Sequence, residues 1–319
     1  MKYTMTKQYY VFLKLLRKIF SKFINHQKKL QPKRLEDDQQ FVSDLIGQKI
    51  KENKPFMLSR LGGTELWAIT NFVGYNSNDK NIFNYITNKQ EQWWWDEKMF
   101  NQMSQWSGFF PSNEDSIIKF SKLYISCLNL IDIFGWYSDR LSLLNKFYTK
   151  TILKVSPVCL EPHGLKNPWT KALRNKKVLV VHPFTDTIKS QYNNRKLLFN
   201  DPEFLPKFNL KTVRAVQSLG GVNSDFNNWF EALDYMKSEI DKKDYDICLI
   251  GCGAYGLPLA AHVKSRGKQA IHIGGSLQLI FGIKGKRWDN DNLYNEFWVR
   301  PNEKETPVVA DKVEDSCYW

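Results

Sequence analysis

One stretch, residues 245–262, constrains the fold more than any other part of the sequence. Its first half contains a short apolar run, ICLI, of the kind that a covered parallel strand needs. Pro258 then stands where the first turn of a helix tolerates a missing N–H. The turn between strand and helix has the spacing G-x-G-x-x-G, formed by Gly251, Gly253 and Gly256. Such a turn aims backbone N–H groups and a helix N-terminus at an anion, so the stretch predicts either a diphosphate site or a tight turn without a ligand.

A site for NAD would need more than this spacing. It also requires Asp or Glu about 20 residues further on, at the end of the next strand, to hold the ribose. Here the next predicted strand, residues 269–273, runs into Gly274, Gly275 and Ser276 without an acid. The sequence therefore disfavours an NAD-dependent oxidoreductase. A nucleotide-sugar, whose ribose can be held in other ways, remains open.

The charge balance points to anionic partners. The chain has 319 residues, of which 42% are hydrophobic and 25% charged, with a formal net charge of +13. This composition is ordinary for a globular protein, and the positive charge favours phosphates, acidic lipid head groups or nucleic acid. No helix-turn-helix, zinc-finger or RNP-like pattern accompanies the charge, so we expect no nucleic-acid partner. The five scattered cysteines, without a C-x-x-C pair, indicate a cytoplasmic protein with reduced thiols.

The sequence divides into a basic amphipathic helix at residues 1–30, a linker and short helix at 31–54, and an α/β domain at 55–319. Residues 9–30 place an apolar face beside several lysines, but Lys14 interrupts the apolar run. Neither a secretory signal nor a membrane span fits this pattern. Two placements remain open. The helix lies on an anionic membrane surface, at the inner face of the cytoplasmic membrane, or it packs on its own domain.

A second strand, glycine turn and helix start lies at residues 56–69. Gly62 and Gly63 allow the tight turn, Arg60 ends the strand, and Glu65 sits in the first helical turn, where the helix dipole favours a carboxylate. Ligands of open α/β sheets bind at the carboxyl ends of strands. Arg60 and Glu65 are therefore candidates for a substrate or metal contact. A local ion pair between them is the alternative.

Further candidates follow three other predicted strands. Gly274 and Gly275 form a third glycine turn, and Lys284 and Arg287 follow in a short basic loop, which either holds a diphosphate or is a solvated surface loop. The strands predicted at 154–163 and 176–182 end in His163 and His182, with Asp186 in the next loop. Two histidines at strand ends suggest acid–base chemistry or acceptor binding, although such residues are also common as ordinary hydrogen-bonding groups.

Four segments of the chain resemble a known family. These segments are Ser59 to Leu66, Ile250 to Gly256, Ile273 to Gly282 and Val313 to Trp319. They are similar to GT-D-type glycosyltransferase domains of bacterial surface-polysaccharide and glycoprotein-glycan clusters, with Arg60 and Glu65 at matching positions. The resemblance implies a Rossmann-like fold. It also implies transfer of a sugar from a nucleotide-diphosphate donor to a glycan or lipid-linked acceptor.

The resemblance breaks at the metal-binding element. Better-studied members carry an acidic D-x-E, which implies a bound Mn²⁺ or Mg²⁺, whereas this chain has Gly63 in place of the first acid. Glu65 alone is a poor site for such an ion, which wants several oxygen ligands. Three interpretations stay open. Another acid substitutes, Arg or Lys neutralises the leaving diphosphate, or the chain is an inactive scaffold or membrane-docking protein.

The sequence as a whole predicts an α/β Rossmann-like fold with a mostly parallel, helix-covered sheet, because strand, glycine turn and helix alternate along the chain. Between residues 112 and 134 we expect one long apolar helix, and between 187 and 199 another helix. The predicted activity is glycosyl transfer, in which Arg60, Lys284 and Arg287 offset the diphosphate charge. In that mechanism Glu65 orients a donor hydroxyl or metal, and His163, His182 or Asp186 receives the acceptor proton.

Overall fold

The computed structural model describes residues 7–27, 35–218, 225–307, 310 and 316–319. The helices in these ranges are α1 Lys7–Gln27, α2 Gln39–Lys51, α3 Gly63–Tyr75, α4 Ile82–Ile86, α5 Glu97–Gln105, α6 Glu114–Cys127, α7 Thr185–Asn193, α8 Trp229–Asp241, α9 Gly256–Ser265 and α10 Leu277–Ile280. The strands are β1 Phe56–Arg60, β2 Ile133–Gly135, β3 Leu153–Val155, β4 Lys177–His182, β5 Asn209–Arg214, β6 Ile247–Ile250 and β7 Gln269–His272.

The strands form one seven-stranded sheet in the order β3-β2-β1-β7-β6-β4-β5. Every pair is parallel, with Leu58 opposite Ile133 on one side of β1 and opposite Ile271 on the other. The central strands are short and buried on both faces, which explains their continuous apolar runs. The predicted Rossmann-like, helix-covered parallel sheet is confirmed.

Helices cover both faces of the sheet. Alternate strand residues point to opposite sides, so Met57 packs in the layer of α3, α6, α8 and α9, whereas Leu58 packs in the layer of α2, α7 and α10. The helix that follows β1 and the helix that follows β7 therefore leave on opposite faces, although β1 and β7 are neighbours. Such a divergence opens a crevice at the carboxyl ends of the strands.

Two predicted elements have different bounds in the structure. The long helix expected up to residue 134 ends at Cys127, and a 3₁₀ turn at Leu128–Leu130 leads into β2, where Phe134 pairs with Ser59. A buried strand and a buried helix share the same apolar composition, so periodicity did not separate them. The helix expected at 187–199 is α7, which begins and ends earlier.

The strand predicted to end at His163 stops at Val155. Pro157 begins a 3₁₀ turn two residues later, and proline has no backbone N–H with which to continue a ladder. His163 thus does not lie at a strand end, and the reason for pairing it with His182 disappears.

The predicted N-terminal helix is α1, and residues 1–6 and 28–30 of the predicted segment lie outside the described residues. It packs on its own domain, since Leu13 is buried and Tyr10 stacks on Trp94 with ring centroids 4.3 Å apart. In the described part of the chain, no helix combines the length and the apolarity needed to cross a membrane.

Candidate functional site

The carboxyl ends of β1, β7, β6, β4 and β5 border one cleft, with a cavity volume of about 270 Å³. Most of the residues singled out in the sequence line it: Arg60, Gly62, Gly63, Glu65, His182, Gly251, Gly253, Gly274, Gly275 and Arg287. Gly256, His163, Asp186 and Lys284 do not line it. The three glycine turns, which lie far apart in sequence, therefore meet at one edge of the sheet.

The turn after β1 brings a carboxylate into the cleft. A Cβ added to Gly62 would lie 1.8 Å from Glu65 Oε2, which means that the Glu65 side chain folds back over Gly62. The carboxylate thereby sits at the N-terminus of α3, where the helix dipole stabilises it. A Cβ added to Gly63 would meet no atom of the described chain within 4 Å. A side chain at position 62 would therefore displace the Glu65 carboxylate, whereas one at position 63 would not.

Arg60 connects the first turn with the turn after β7. Gly274 has φ +69°, a conformation that L side chains rarely adopt, and a Cβ at this position would lie 3.8 Å from Arg60 Nη1. Since β1 and β7 are neighbours in the sheet, the guanidinium group of Arg60 reaches the turn of the adjacent strand. Arg60 therefore lies between two of the three glycine turns.

The end of the chain forms another wall of the cleft. Tyr318 and Trp319 line it, and a Cβ on Gly275 would lie 2.1 Å from Tyr318 Cε1. The Arg287 guanidinium lies 5.0 Å from the centroid of the Tyr318 ring. Gln278 Nε2 donates a hydrogen bond to the Tyr318 carbonyl oxygen at 3.1 Å. Arg287, the second cationic side chain of the cleft, thus lies against the aromatic ring of Tyr318.

The turn after β6 is closely packed. A Cβ on Gly251 would lie 2.7 Å from the Gly274 carbonyl oxygen and 2.8 Å from His182 Cδ2, so only glycine lets these groups approach. Gly253 has φ +55°, which also favours glycine. Gly256 has a different role, since its Cβ would lie 2.1 Å from His272 Nε2. It allows α9 to begin directly against the β7 histidine.

His182 ends β4 and faces the cleft as a neutral ring. Burial lowers the pKa of its imidazole to about 3. The Phe184 backbone N–H donates a hydrogen bond to His182 Nδ1 at 3.1 Å, which places the proton of the neutral ring on Nε2. No ring lone pair is then left to receive a proton. The geometry favours a hydrogen-bond donor at His182, in place of the acid–base role expected from the sequence.

His272 is a cleft residue that the sequence reasoning missed. It ends β7, and its Nδ1 lies 2.9 Å from Ser59 Oγ on the neighbouring strand. Burial, with a smaller effect of the nearby Arg60, lowers the pKa of His272 to about 3. A signal was present in the sequence. His272 stands two residues before Gly274, just as Arg60 stands two residues before Gly62.

His163 lies outside the cleft, in a partly buried position. Its ring packs against Phe204, with centroids 4.9 Å apart, and its Nε2 lies 3.4 Å from the Leu279 carbonyl oxygen. Burial lowers the pKa of His163 to about 4. The expected role in acid–base chemistry therefore has no geometric support at this position.

Asp186 and Lys284 make local contacts outside the cleft. The Asp186 carboxylate accepts a hydrogen bond from Arg214 Nη2 at 2.6 Å, and the Lys284 ammonium lies 5.6 Å from the Tyr294 ring centroid. The N-terminus of α7, which carries Asp186, is occupied by the chain itself. Buried Glu305 accepts hydrogen bonds there from the Asp186 and Thr187 backbone N–H groups. Asp186 and Lys284 are thus engaged by other side chains of the protein and are not among the residues that line the cleft.

The donor set of the cleft does not fit Mn²⁺ or Mg²⁺. Among the residues that line it, Glu65 supplies the carboxylate and the histidines are neutral nitrogen donors. Across the described ranges no group of three or more His, Cys, Asp or Glu residues is arranged to hold a metal ion. Mg²⁺ and Mn²⁺ favour several oxygen ligands. The cationic side chains that line the cleft are Arg60 and Arg287.

Comparisons with known proteins found one distant structural neighbour. No protein-family model matches the chain. No curated protein matches it either. One solved structure, a selenomethionine-substituted "domain of unknown function 1792", aligns over 95% of this chain and 98% of that one, with 13% identity and a TM-score of 0.41. A likeness this distant carries no argument about fold or activity.

Proposed function

We propose that the protein is a glycosyltransferase that moves a sugar from a nucleotide-diphosphate donor to a bacterial glycan or a lipid-linked acceptor. One observation carries the proposal. Arg60, Arg287 and the glycine turns after β1, β6 and β7 share a single cleft at the carboxyl edge of the parallel sheet. Two guanidinium groups beside helix N-termini suit a diphosphate.

In this proposal the diphosphate binds between Arg60 and Arg287. Their N–H groups donate charge-assisted hydrogen bonds and offset the negative charge that builds up on the leaving diphosphate as the sugar departs. The cavity of about 270 Å³ is slightly smaller than the ~300–1,000 Å³ of typical ligand sites. One part of the donor would therefore be enclosed, while the remainder extends past Trp106 and Trp319 at the cleft wall.

Glu65 and His182 act on the sugar or the phosphate. The Glu65 carboxylate, held at the start of α3, orients a donor hydroxyl or takes the proton of the acceptor hydroxyl. His182 donates its Nε2–H to a phosphate or sugar oxygen. Two observations support this role: the ring is neutral, and its Nδ1 accepts a hydrogen bond from the Phe184 backbone N–H. No step requires a metal ion.

The test is transfer of labelled sugar from a panel of UDP- and GDP-sugars to glycan and lipid extracts of the producing cell. The wild-type protein should transfer label from at least one donor. Glu65→Gln should lower the rate at least about 100-fold, since it removes the carboxylate but keeps the side-chain volume. The exposed Glu296→Gln should leave the rate unchanged.

An inactive scaffold is the alternative, because Gly63 stands where the resembled family carries the first metal-binding acid. If no donor supports transfer, the scaffold replaces the enzyme. If Glu65→Gln transfers sugar as fast as the wild-type protein, the role proposed for the Glu65 carboxylate is wrong.

A further inference from the structure

One side of α1 is fixed to the rest of the protein. Leu13 is buried to 2% exposure, and Lys14 Nζ lies 2.5 Å from Asp96 Oδ2. Arg17 Nη2 lies 3.2 Å from Glu91 Oε1, and Glu91 in turn binds Arg140 at 2.7 Å. Residues three to four apart share a side of a helix, so these contacts together define the attached side.

The other side of α1 carries an exposed apolar stripe. Its members follow one another at helical spacing and remain exposed with α1 docked: Phe12 at 54%, Leu15 at 53%, Ile19 at 44% and Phe23 at 72%. Val11 at 61% lies beside them. Since the attached side already holds the helix in place, packing α1 on the domain does not account for this stripe. We call these five residues the α1 stripe.

The charges of α1 are all positive. The helix sequence, KQYYVFLKLLRKIFSKFINHQ, contains Lys and Arg but neither Asp nor Glu. Lys14 and Arg17 face acids of the domain, whereas Lys18 and Lys22 are exposed within the same turns as the stripe. An apolar stripe with lysines along its border is the pattern of a helix that lies in a membrane interface, with its apolar side among the acyl chains and its cations near acidic head groups.

We propose that the α1 stripe docks the protein on an anionic lipid bilayer, with Lys18 and Lys22 contacting acidic head groups. A second copy of the chain fits this face less well. It would bring another α1 that is rich in Lys and Arg and lacks Asp and Glu, on a chain of net charge +13, so like charges would meet at the interface. The inference does not depend on the proposed activity, because none of the residues that line the cleft belongs to α1.

The test is sedimentation of the full chain with vesicles. One set is phosphatidylcholine alone, and the other contains about one-third phosphatidylglycerol, which supplies negative charge. The wild-type protein should bind the anionic vesicles at least tenfold more tightly than the neutral ones, and added salt should weaken binding. The double variant Leu15→Gln/Phe23→Gln should lose at least tenfold in affinity, because it removes apolar surface that enters the bilayer.

Matched control variants show whether the position of a substitution on α1 matters, or only the loss of exposed apolar surface or positive charge. Val158→Gln/Leu197→Gln removes comparably exposed apolar side chains elsewhere and should bind like the wild-type protein. Lys18→Glu/Lys22→Glu should weaken binding to anionic vesicles, whereas the same charge change at exposed Lys166 and Lys196 should weaken it less. Absence of vesicle binding by the wild-type protein would overturn the proposal. It would also be overturned if Leu15→Gln/Phe23→Gln bound vesicles as tightly as the control Val158→Gln/Leu197→Gln. A wild-type dimer that becomes a monomer in Leu15→Gln/Phe23→Gln would overturn it too, because the stripe would then be a contact between copies of the chain.

Discussion

At the residue scale, the cleft carboxylate of Glu65 occupies the space that a side chain at position 62 would need. Gly62→Ala puts a methyl group 1.8 Å from the present position of Glu65 Oε2, so the carboxylate must move away. Misplacement of a reacting group by about 1 Å can lower a rate about 100-fold, and we expect a loss of this order in sugar transfer. The measurement is kcat/KM for the donor that the wild-type protein uses.

Gly63→Ala is the matched control, because its methyl group meets no described atom within 4 Å. It replaces a glycine in the same turn and should retain the wild-type kcat/KM within a few-fold. If the two variants lose the same activity, the turn itself is sensitive to substitution and the contact with Glu65 is not the cause.

The buried histidines predict how stability depends on pH. The pKa values of His182 and His272 are both lowered to about 3 in the folded protein, from an ordinary value of 6.5. Between pH 6.5 and 3 the unfolded chain therefore binds protons that the folded chain does not. Stability is present above pH 6.5 and should fall as the pH decreases, by about 1.4 kcal/mol per pH unit for each histidine.

Urea unfolding of the wild-type protein and of His272→Gln across this pH range measures the effect. The variant should lose stability less steeply with acidification, since it has one titrating group fewer. Parallel pH profiles for the two proteins would show that His272 is protonated as readily in the fold as in the unfolded chain.

At the element scale, Gly256 determines how α9 meets β7. A methyl group at Gly256 would lie 2.1 Å from His272 Nε2, in the buried core, so Gly256→Ala should lower the free energy of unfolding by about 2 kcal/mol or more. Gly47→Ala in the interior of α2 offers a comparison, because its nearest atoms lie 3.9 Å away. It should be neutral or stabilise by up to about 1 kcal/mol. Urea unfolding measures both, and equal effects would contradict this account of Gly256.

The same elements show what the sequence could and could not predict. The β1, β6 and β7 units were predictable because each joins a short apolar strand to a glycine turn and a helix start. β2 was not, since Ile133–Gly135 follows an apolar helix and is recognisable as a strand only by pairing with β1 and β3. A three-residue strand is defined by its neighbours more than by its own sequence.

At the scale of the whole molecule, the candidate site depends on strand order, which the sequence leaves open. β1 and β7 lie over 200 residues apart in the chain, yet they pair directly and bring Arg60 to Gly274. The meeting of Arg60, Gly253 and Arg287 in one cleft depends on this strand order. The return of Tyr318 and Trp319 to the same cleft depends on tertiary packing that no local pattern predicted.

Calorimetric titration with UDP- and GDP-sugars, with and without Mn²⁺, tests the central claim most directly. We expect the wild-type protein to bind one of these donors, with an affinity that Mn²⁺ does not raise. Arg60→Ala and Arg287→Ala should each weaken binding about 10- to 100-fold, the effect of losing hydrogen bonds to a charged group. Arg266→Ala, an exposed arginine outside the cleft, should not. Absence of binding to every donor under both conditions would contradict the assignment of the cleft as a diphosphate site.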